Sequence, residues 1–380
     1  ITMRVNHTRL LSLLLLLALL LSLTACAPKD QNSGQDDAPP PAGGTAATRT
    51  ITDGAGRTVE IPTEVTRIVP LGNTPRMITY LGLADRAVGI EACEIASSPL
   101  QAYAYVNLEA WSALPNCGTN AMGETAYYPE EIMLAAPDVI LTTDPADAAD
   151  NLQSQTGIPV VAVSQGTLFG EDYNESLRIL GEVCGVSDRA EAVIQFLDDC
   201  LGDLARRTAG AGETPTVLGA GATFKGSHSI DGVYTNYPVF QILSANDVAR
   251  EVAGQTGASG VMVDREQILT WDPEIIFFDS GSMELLRTDY AENPGYFQQL
   301  QAVREGRLYQ WPNSTWHWSN VEIPLVSAYY TGTLLYPEAF ADVDFEAKAS
   351  EIFDFFLGQP DYLRVLESAG AGYGSVTLGE

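Results

Sequence analysis

The sequence predicts an α/β fold: two similar α/β lobes with mostly parallel sheets, bridged by one long helix, with a ligand cleft between them. Three observations predict this class. A helix–strand segment occurs twice in the chain, short apolar runs alternate with helical stretches, and a single amphipathic helix separates the two halves. Such alternation is typical of lobes whose strands run parallel and whose helices cover the sheet.

The repeated segment is EEIMLAAPDVIL at 130–141, which aligns without a gap with EQILTWDPEIIF at 266–277. In both copies a helical stretch ends just before a proline, Pro137 or Pro273, and an acidic residue and an apolar run follow. Proline disfavours helix in the residue that precedes it, and an apolar run rich in β-branched residues is typical of a buried parallel strand. We therefore expect both halves of the chain to contain the same helix–strand unit.

The remaining elements follow the same alternation. Further strands are predicted at 67–71, 87–90, 159–163, 216–220 and 307–310, and further helices at 75–83, 147–156 and 237–248. The long helix is predicted at 187–207, where apolar residues recur at helical spacing from Ala190 to Leu204. About twenty residues at roughly 1.5 Å each form a rod of about 30 Å, which indicates limited hinge freedom between the lobes.

The N-terminal stretch has the pattern of a secretory signal. Basic residues from Arg4 to Arg9 precede a leucine-rich run at 10–23, and Leu-Thr-Ala then leads to Cys26. This end resembles the bacterial lipobox, in which the cysteine takes up a diacylglyceryl group; a plain signal peptide with a chance cysteine is the alternative. Two acyl chains suffice for stable anchoring. Residues 1–26 are therefore expected to direct export and to anchor the mature chain to the outer side of the cell membrane through Cys26.

The predicted organisation continues from this signal. Residues 27–49 lack apolar periodicity and are rich in Pro, Gly, Ala and Asp, which indicates a flexible tether. An N-terminal lobe is predicted at 50–170, a helical region with the bridging helix at 171–213, and a C-terminal lobe at 214–380.

Composition and motifs exclude several functions. The chain has 20 Lys and Arg against 49 Asp and Glu, a net charge of −29, whereas nucleic-acid binding needs clustered basic residues. The other cysteines, Cys93, Cys117, Cys184 and Cys200, lack zinc-site spacing, and both disulfides and free thiols stay open for them. No Gly-x-Ser-x-Gly, Walker or HExxH motif is present. A catalytic role is not expected, and an exported α/β enzyme is kept only as an alternative.

Several motifs together resemble the periplasmic solute-binding proteins of ABC transporters for iron-siderophore, haem and cobalamin uptake. They are DGAGRTVEIP at 53–62, TRIV at 66–69, APDVI at 136–140, NPGYF at 293–297 and AVREGRLY at 302–309. The resemblance extends over about 51–358. It implies a monomer with two lobes bridged by a helix, which delivers a small-molecule metal chelate to a membrane permease with its ATPase.

The resemblance also gives the repeat a role. In this family each lobe presents a glutamate to an arginine pocket of the permease, and alignment carries this role to Glu130 and Glu266. Arginine pairs well with a carboxylate through bidentate bonds. Glu131 is a competing candidate on the N-terminal side. The alternative is that these acids only offset the dipole of a helix N-terminus.

Ligands of open α/β lobes bind at the carboxyl ends of the strands. The loops expected there supply these candidate ligand-binding residues: Thr74, Arg76, Tyr127, Tyr128, Lys225, His228, Tyr234, Trp316, His317 and Trp318. Arg76 and Lys225 would complement an anionic ligand, and the tryptophans would form an aromatic wall. No direct metal site is expected, although His317 is a candidate axial ligand. A ferric siderophore ranks first as ligand, then cobalamin or haem, and then a small oxyanion; no resident cofactor is expected.

Overall fold

Strands and helices alternate along the described part of the chain. The computed structural model describes residues 47–95, 98–121, 124–224, 226–252, 260–312 and 320–379, which belong to one compact unit, Ala46–Glu380. No helix within these residues is long and apolar enough to cross a membrane. The predicted signal, Cys26 and nearly all of the predicted tether lie outside the described residues. The first described strand begins at Thr48.

The strands are numbered in chain order. They are β1 Thr48–Thr52, β2 Thr58–Pro62, β3 Ile68–Pro70, β4 Ile90–Glu91, β5 Asn116–Ala121, β6 Glu124–Tyr127, β7 Val139–Thr142, β8 Val160–Ala162, β9 Thr216–Ala220, β10 Gly232–Tyr234, β11 Asn246–Asp247, β12 Gly260–Met262, β13 Ile275–Asp279, β14 Leu308–Trp311 and β15 Gly374–Ser375.

The helices are numbered in the same way. They are α1 Thr74–Tyr80, α2 Ala102–Tyr105, α3 Leu108–Trp111, α4 Pro129–Ala135, α5 Ala146–Thr156, α6 Glu171–Cys184, α7 Ser187–Thr208, α8 Pro238–Ile242, α9 Arg265–Trp271, α10 Met283–Glu292, α11 Pro294–Phe297, α12 Gln301–Arg304, α13 Glu322–Leu335, α14 Phe345–Leu357 and α15 Tyr362–Ser368. Short 3-10 turns lie at Ala84–Arg86, Ala92–Ile95 and Ser280–Ser282.

The sheets divide between two lobes. In the N-terminal lobe β3, β7 and β8 form a parallel sheet in the order β3-β7-β8, and β4, β5 and β6 form a second sheet. In the C-terminal lobe the described strands follow the order β12-β10-β9-β13-β14-β15, with β11 also paired to β9. Its centre is parallel, and β10, β12 and β15 add antiparallel edges. The predicted fold class is confirmed.

The repeated sequence folds into the same unit in both lobes. Helices α4 and α9 each end at a left-handed residue, Ala136 with φ 48° and Asp272 with φ 38°. The acidic residue after the proline then binds the start of the neighbouring strand: Asp138 accepts from the Arg67 amide at 2.9 Å, and Glu274 from the Thr216 amide at 2.8 Å. Asp138 precedes β7 and thus holds its parallel neighbour β3, and Glu274 precedes β13 and holds its parallel neighbour β9.

The long helix α7 confirms the predicted bridge. Its buried side is formed by residues at helical spacing, among them Val193, Leu197 and Leu204. They belong to one apolar core that also contains residues of both lobes, such as Leu141 and Phe277. The bridge is therefore packed into a continuous interior rather than suspended between separate cores.

The last helices of the chain pack back onto the N-terminal lobe. The ring of Phe356 in α14 lies 5.0 Å from that of Tyr80 in α1, and the Tyr362 hydroxyl donates to the Pro99 carbonyl at 2.6 Å. Arg189 of α7 links α1 to α14, because its guanidinium donates to the carbonyls of Tyr80 at 3.0 Å and Phe355 at 2.6 Å. The chain therefore connects the lobes through its C-terminal helices as well as through α7.

One predicted helix is wrong over half its length. The stretch 237–248 is helical only at Pro238–Ile242. Ser244 adopts a left-handed φ of 51°, and Asn246–Asp247 then pair as a parallel strand with β9. The tertiary contact with the sheet outweighs the local helical pattern.

Three of the four cysteines left open by the sequence are buried thiols. Cys117, Cys184 and Cys200 are free and buried, whereas Cys93 is only half-buried. Burial raises the pKa of Cys117, Cys184 and Cys200 to about 11. These three thiols act as small apolar side chains of the core.

Candidate ligand cleft and docking helices

A buried carboxyl group lies at the strand ends of the N-terminal lobe. Glu91 is the last residue of β4 and is fully buried. Its Oε2 accepts from the Gly72 amide, just beyond β3, at 2.6 Å, and its Oε1 has no hydrogen-bond partner among the described residues. Burial, reinforced by the charge of Glu94, raises the pKa of Glu91 to about 8. This group is thus held largely protonated at neutral pH.

Arg76 crosses between the lobes. Its side chain is fully buried, and its Nη1 donates to the Asn73 side-chain oxygen. The guanidinium lies 4.6 Å from the centre of the Tyr103 ring, and its Nε donates to Asn320, just before α13, at 3.2 Å. Asn320 in turn donates to the Leu100 carbonyl at 3.0 Å. The predicted anion-binding arginine therefore holds a buried network between the lobes.

A second buried pair lies one helical turn further along α1. The hydroxyl of Tyr80 donates to the carboxyl group of Glu322 and accepts from the Val321 amide at 3.3 Å. Both side chains are fully buried, and burial raises the pKa of Glu322. With Arg76, this pair attaches α1 to the start of α13 by charged and polar groups in the interior.

The C-terminal lobe has its own buried carboxyl group. Asp279 ends β13 and accepts from the Tyr234 hydroxyl, from Thr223 at 2.9 Å and from the Gly281 amide at 2.8 Å. Burial raises the pKa of Asp279 to about 6, although these donors oppose the shift. Tyr234, a predicted ligand contact at the end of β10, is buried against this carboxyl group.

The other predicted contacts are dispersed. Thr74 is buried, and its hydroxyl donates to the Leu71 carbonyl at 2.9 Å. The ring of His228 stacks on Phe224 at 4.1 Å, with Nε2 2.8 Å from the Phe224 carbonyl. Lys225, Trp316, His317 and Trp318 lie outside the described residues.

The structure brings Tyr127 and Tyr128 together with the predicted docking glutamate. Both tyrosines line a surface cavity of about 620 Å³ with Glu130 and Glu131, at the start of α4. Glu130 is exposed, as is Glu266 at the matching second position of α9. The two glutamates thus lie at equivalent places on the surface of each lobe.

Sequence reasoning did not select the buried polar residues at the strand ends. Asp279 was visible as an acid that closes an apolar strand, and Glu91 as an acid in a predicted cleft loop. Asn320 and Glu322 gave no local signal, because their partners lie in α1, far away in the chain. Within the described residues, no group of three or more His, Cys, Asp or Glu side chains could hold a metal ion.

Known proteins share this arrangement of two lobes and a bridging helix. A family model described as periplasmic binding protein matches residues 74–315. The chain belongs to the periplasmic binding protein family. Among periplasmic binding proteins, it is 25% identical to the molybdate-binding protein MolA of Haemophilus influenzae over 346 residues, which are 82% of this chain and 91% of the relative.

Solved structures of periplasmic binding proteins have the same fold. A periplasmic solute-binding protein from Veillonella parvula superposes with a TM-score of 0.65 at 23% identity, covering 82% of this chain and 93% of that one. MolA of Haemophilus influenzae bound to molybdate gives 0.59 at 20% identity, with 82% and 98% covered. Membership of this family makes the chain a solute-binding component of ABC transport with an extracytoplasmic place of action.

Proposed function

We propose that this chain is a monomeric, lipid-anchored solute-binding protein that captures a ferric siderophore and delivers it to the permease and ATPase of an ABC importer. Family membership supports the transport role. The leucine-rich run before Leu-Thr-Ala-Cys26 supports anchoring by a lipid on that cysteine.

The observation that carries the ligand class is the set of buried carboxyl groups at the strand ends and at the start of α13. Glu91, Asp279 and Glu322 are fully buried carboxyl groups, and Arg76 is already engaged by Asn73 and Asn320. Such surroundings disfavour a bare dianion, because the guanidinium of Arg76 already has partners and because any of these carboxyl groups that ionises would repel the dianion. They fit a chelate of low net charge, whose iron is already saturated by its own ligands and needs no protein atom.

Candidate contacts for this chelate are the polar and aromatic residues at the strand ends. Those in the described residues are Thr74, Arg76, Tyr127, Tyr128, His228 and Tyr234, and those outside them are Lys225, Trp316, His317 and Trp318. An opening of the lobes is required for the buried members of this set to touch a ligand. Haem or cobalamin would use the same aromatic side chains.

A small oxyanion is the second candidate, and one observation favours it. The relative MolA is a molybdate-binding protein that aligns over most of this chain. A site of that kind would depend on backbone amides and hydroxyl groups rather than on aromatic walls.

Ligand titration separates these candidates. The quenching of tryptophan fluorescence is measured against neutral and trianionic ferric siderophores, haem, cobalamin, molybdate and tungstate. We expect saturable quenching by a low-charge ferric siderophore with at least tenfold preference over a trianionic one. Tight binding of molybdate without siderophore binding would refute the iron assignment and establish the second candidate.

Charge reversal tests the docking role. Glu130→Arg with Glu266→Arg is expected to abolish uptake of the bound ligand and to leave its affinity unchanged, because both side chains are exposed on the surface of the lobes and neither is a candidate ligand contact. Glu131→Arg on the same helix tests the competing candidate, and loss of uptake in that variant alone would assign the docking role to Glu131. Normal uptake by the double variant would refute docking through these two residues.

Lipid attachment has a separate test. Cys26→Ser is expected to prevent labelling of the chain by a radioactive fatty acid and to release it from the membrane fraction. Membrane retention of that variant would contradict the anchor.

A further inference from the structure

The two docking helices carry the same glutamate but different neighbours. Residues three and four positions after a helical residue share its face, so Met133 and Leu134 lie beside Glu130, and Leu269 and Thr270 lie beside Glu266. Leu134 is 79% exposed and Met133 44% exposed. Leu269, in contrast, packs against the core of the C-terminal lobe.

The polar character of the second helix is built into its contacts. The hydroxyl of Thr270 donates to the Glu266 carbonyl at 2.8 Å. The cavity of about 490 Å³ beside α9 is lined by polar groups such as Asp247, Arg250 and Gln267 together with Val248, Val252 and Trp271. The side of α9 next to Glu266 is therefore more polar than the matching side of α4.

The surface around Glu130 is apolar by comparison. Tyr128, 38% exposed, stands at the start of α4. With Met133 it borders the cavity of about 620 Å³ that Glu130 and Gln155 also line. In the C-terminal lobe the large exposed apolar side chains among the described residues are Met262, 53% exposed at the end of β12, and Leu285 on α10, each single on its element. Single exposed apolar residues are ordinary, but a contiguous group with a polar rim marks a contact surface.

We infer that Tyr128, Met133 and Leu134 form an apolar anchor for the permease, which fixes the direction in which the two lobes sit on it. This rests on the proposed function, in which both glutamates dock. A permease with two similar halves would accept glutamates alone in either of two directions. A group of three exposed apolar residues beside one of the two glutamates, matched by an apolar permease surface with Arg or Lys at its edge, removes that ambiguity.

Electrostatics favours the permease over two other partners for the apolar anchor. A symmetric contact between two copies of the chain would bring Glu130 and Glu131 against the same residues of the second copy, and each copy carries a net charge of −29. An anionic lipid surface would be repelled by the same acids. A basic permease surface complements both the acids and the apolar group.

Photocrosslinking in intact cells tests the contact. The photoreactive residue p-benzoylphenylalanine replaces Leu134 in one strain and Gln267, beside Glu266, in another, and the captured polypeptide is identified by mass spectrometry. We expect capture of the permease at both positions, with position 134 reaching one of its two halves and position 267 the other, and we expect capture at 134 to be lost after Glu130→Arg.

Each other result has a definite meaning. Capture of the permease at 267 but not at 134 overturns the anchor and leaves the proposed function standing. Capture at neither position overturns both. Capture at 134 of a second copy, or of the chain's own N-terminal segment, overturns the anchor.

The affinity of the binding protein for the captured permease, reconstituted with its ATPase, measures how much the apolar anchor contributes to docking. Leu134→Ser is expected to weaken binding roughly tenfold to thirtyfold, as removal of one buried leucine side chain does. Leu285→Ser, an exposed leucine on α10, is the matched control and should bind normally. Equal binding by both variants overturns the anchor, and ligand affinity should be unchanged in both.

Discussion

Replacing Glu91 by glutamine should make the protein less sensitive to alkaline pH. Glutamine keeps an oxygen that can accept from the Gly72 amide, a bond of 2.6 Å in the structure. It also carries no charge at any pH, so it mimics the protonated form of a carboxyl group whose pKa burial raises to about 8.

The size of the effect follows from linkage between proton binding and folding. The pKa of Glu91 is about 8 in the fold and 4.5 ordinarily, so the folded state binds the proton more tightly than the unfolded state. The free energy of unfolding therefore falls as pH rises from about 4.5 to about 8 and levels off beyond. At about 1.4 kcal/mol per pH unit, this loss is roughly 5 kcal/mol at most.

Urea unfolding at pH 5 and pH 9 gives the measurement. We expect Glu91→Gln and the wild type to differ by less than about 1 kcal/mol at pH 5, and the variant to be more stable by several kcal/mol at pH 9. Glu130→Gln makes the same change at an exposed position and should shift the free energy of unfolding by less than about 0.5 kcal/mol. A difference between Glu91→Gln and wild type that is equal at both pH values would refute the reasoning.

Three further changes test other parts of the interior. A Cβ added at Gly89 would clash with the Cys117 sulfur, so Gly89→Ala should lower the free energy of unfolding in urea by about 1–3 kcal/mol. Adding Cys117→Ala should recover most of this loss, and no recovery would contradict the clash. Tyr80→Phe removes the donor to the buried carboxyl of Glu322 and should lower the free energy of unfolding by about 1–3 kcal/mol. When Glu322→Leu is added, the total loss should be smaller than the sum of the two single losses. Additive losses would contradict an interaction between the two side chains. Burial raises the pKa of Asp247 from 3.8 to about 6, so the stability of the wild type should fall by roughly 3 kcal/mol at most as pH rises between those values. Asp247→Asn should flatten this part of a plot of thermal-unfolding temperature against pH. Parallel plots for the two proteins would exclude Asp247 as the source of the pH dependence.

The repeat and the bridging helix were predictable because their signals are local. The proline after α4 and α9 and the apolar run that follows lie within a dozen or so neighbouring positions, and α7 shows its periodicity along its own length. Core strands such as Thr216–Ala220 were located for the same reason. Elements whose signal lies within a short stretch of sequence can therefore be predicted from that stretch.

Contacts between distant parts of the chain were not predictable in that way. Arginine is a residue type that often binds anions, but the burial of Arg76 depends on its hydrogen bond to Asn320. No local sequence pattern predicts that these two residues are in contact. Likewise, the stretch 237–248 has helical spacing, yet its second half joins the sheet beside Thr216. In both cases a tertiary partner decides the outcome.

The return of α14 and α15 to the N-terminal lobe has a consequence for how the chain acquires its structure. Phe356 and Tyr362 complete the interior around Tyr80 and Tyr105, so the apolar core of the first lobe is complete only when α14 and α15 have packed onto it. Folding from the N-terminus, domain by domain, is common in larger proteins, but here the two lobes must mature together. A chain shortened before residue 345 would accordingly lose the first lobe as well as the last helices.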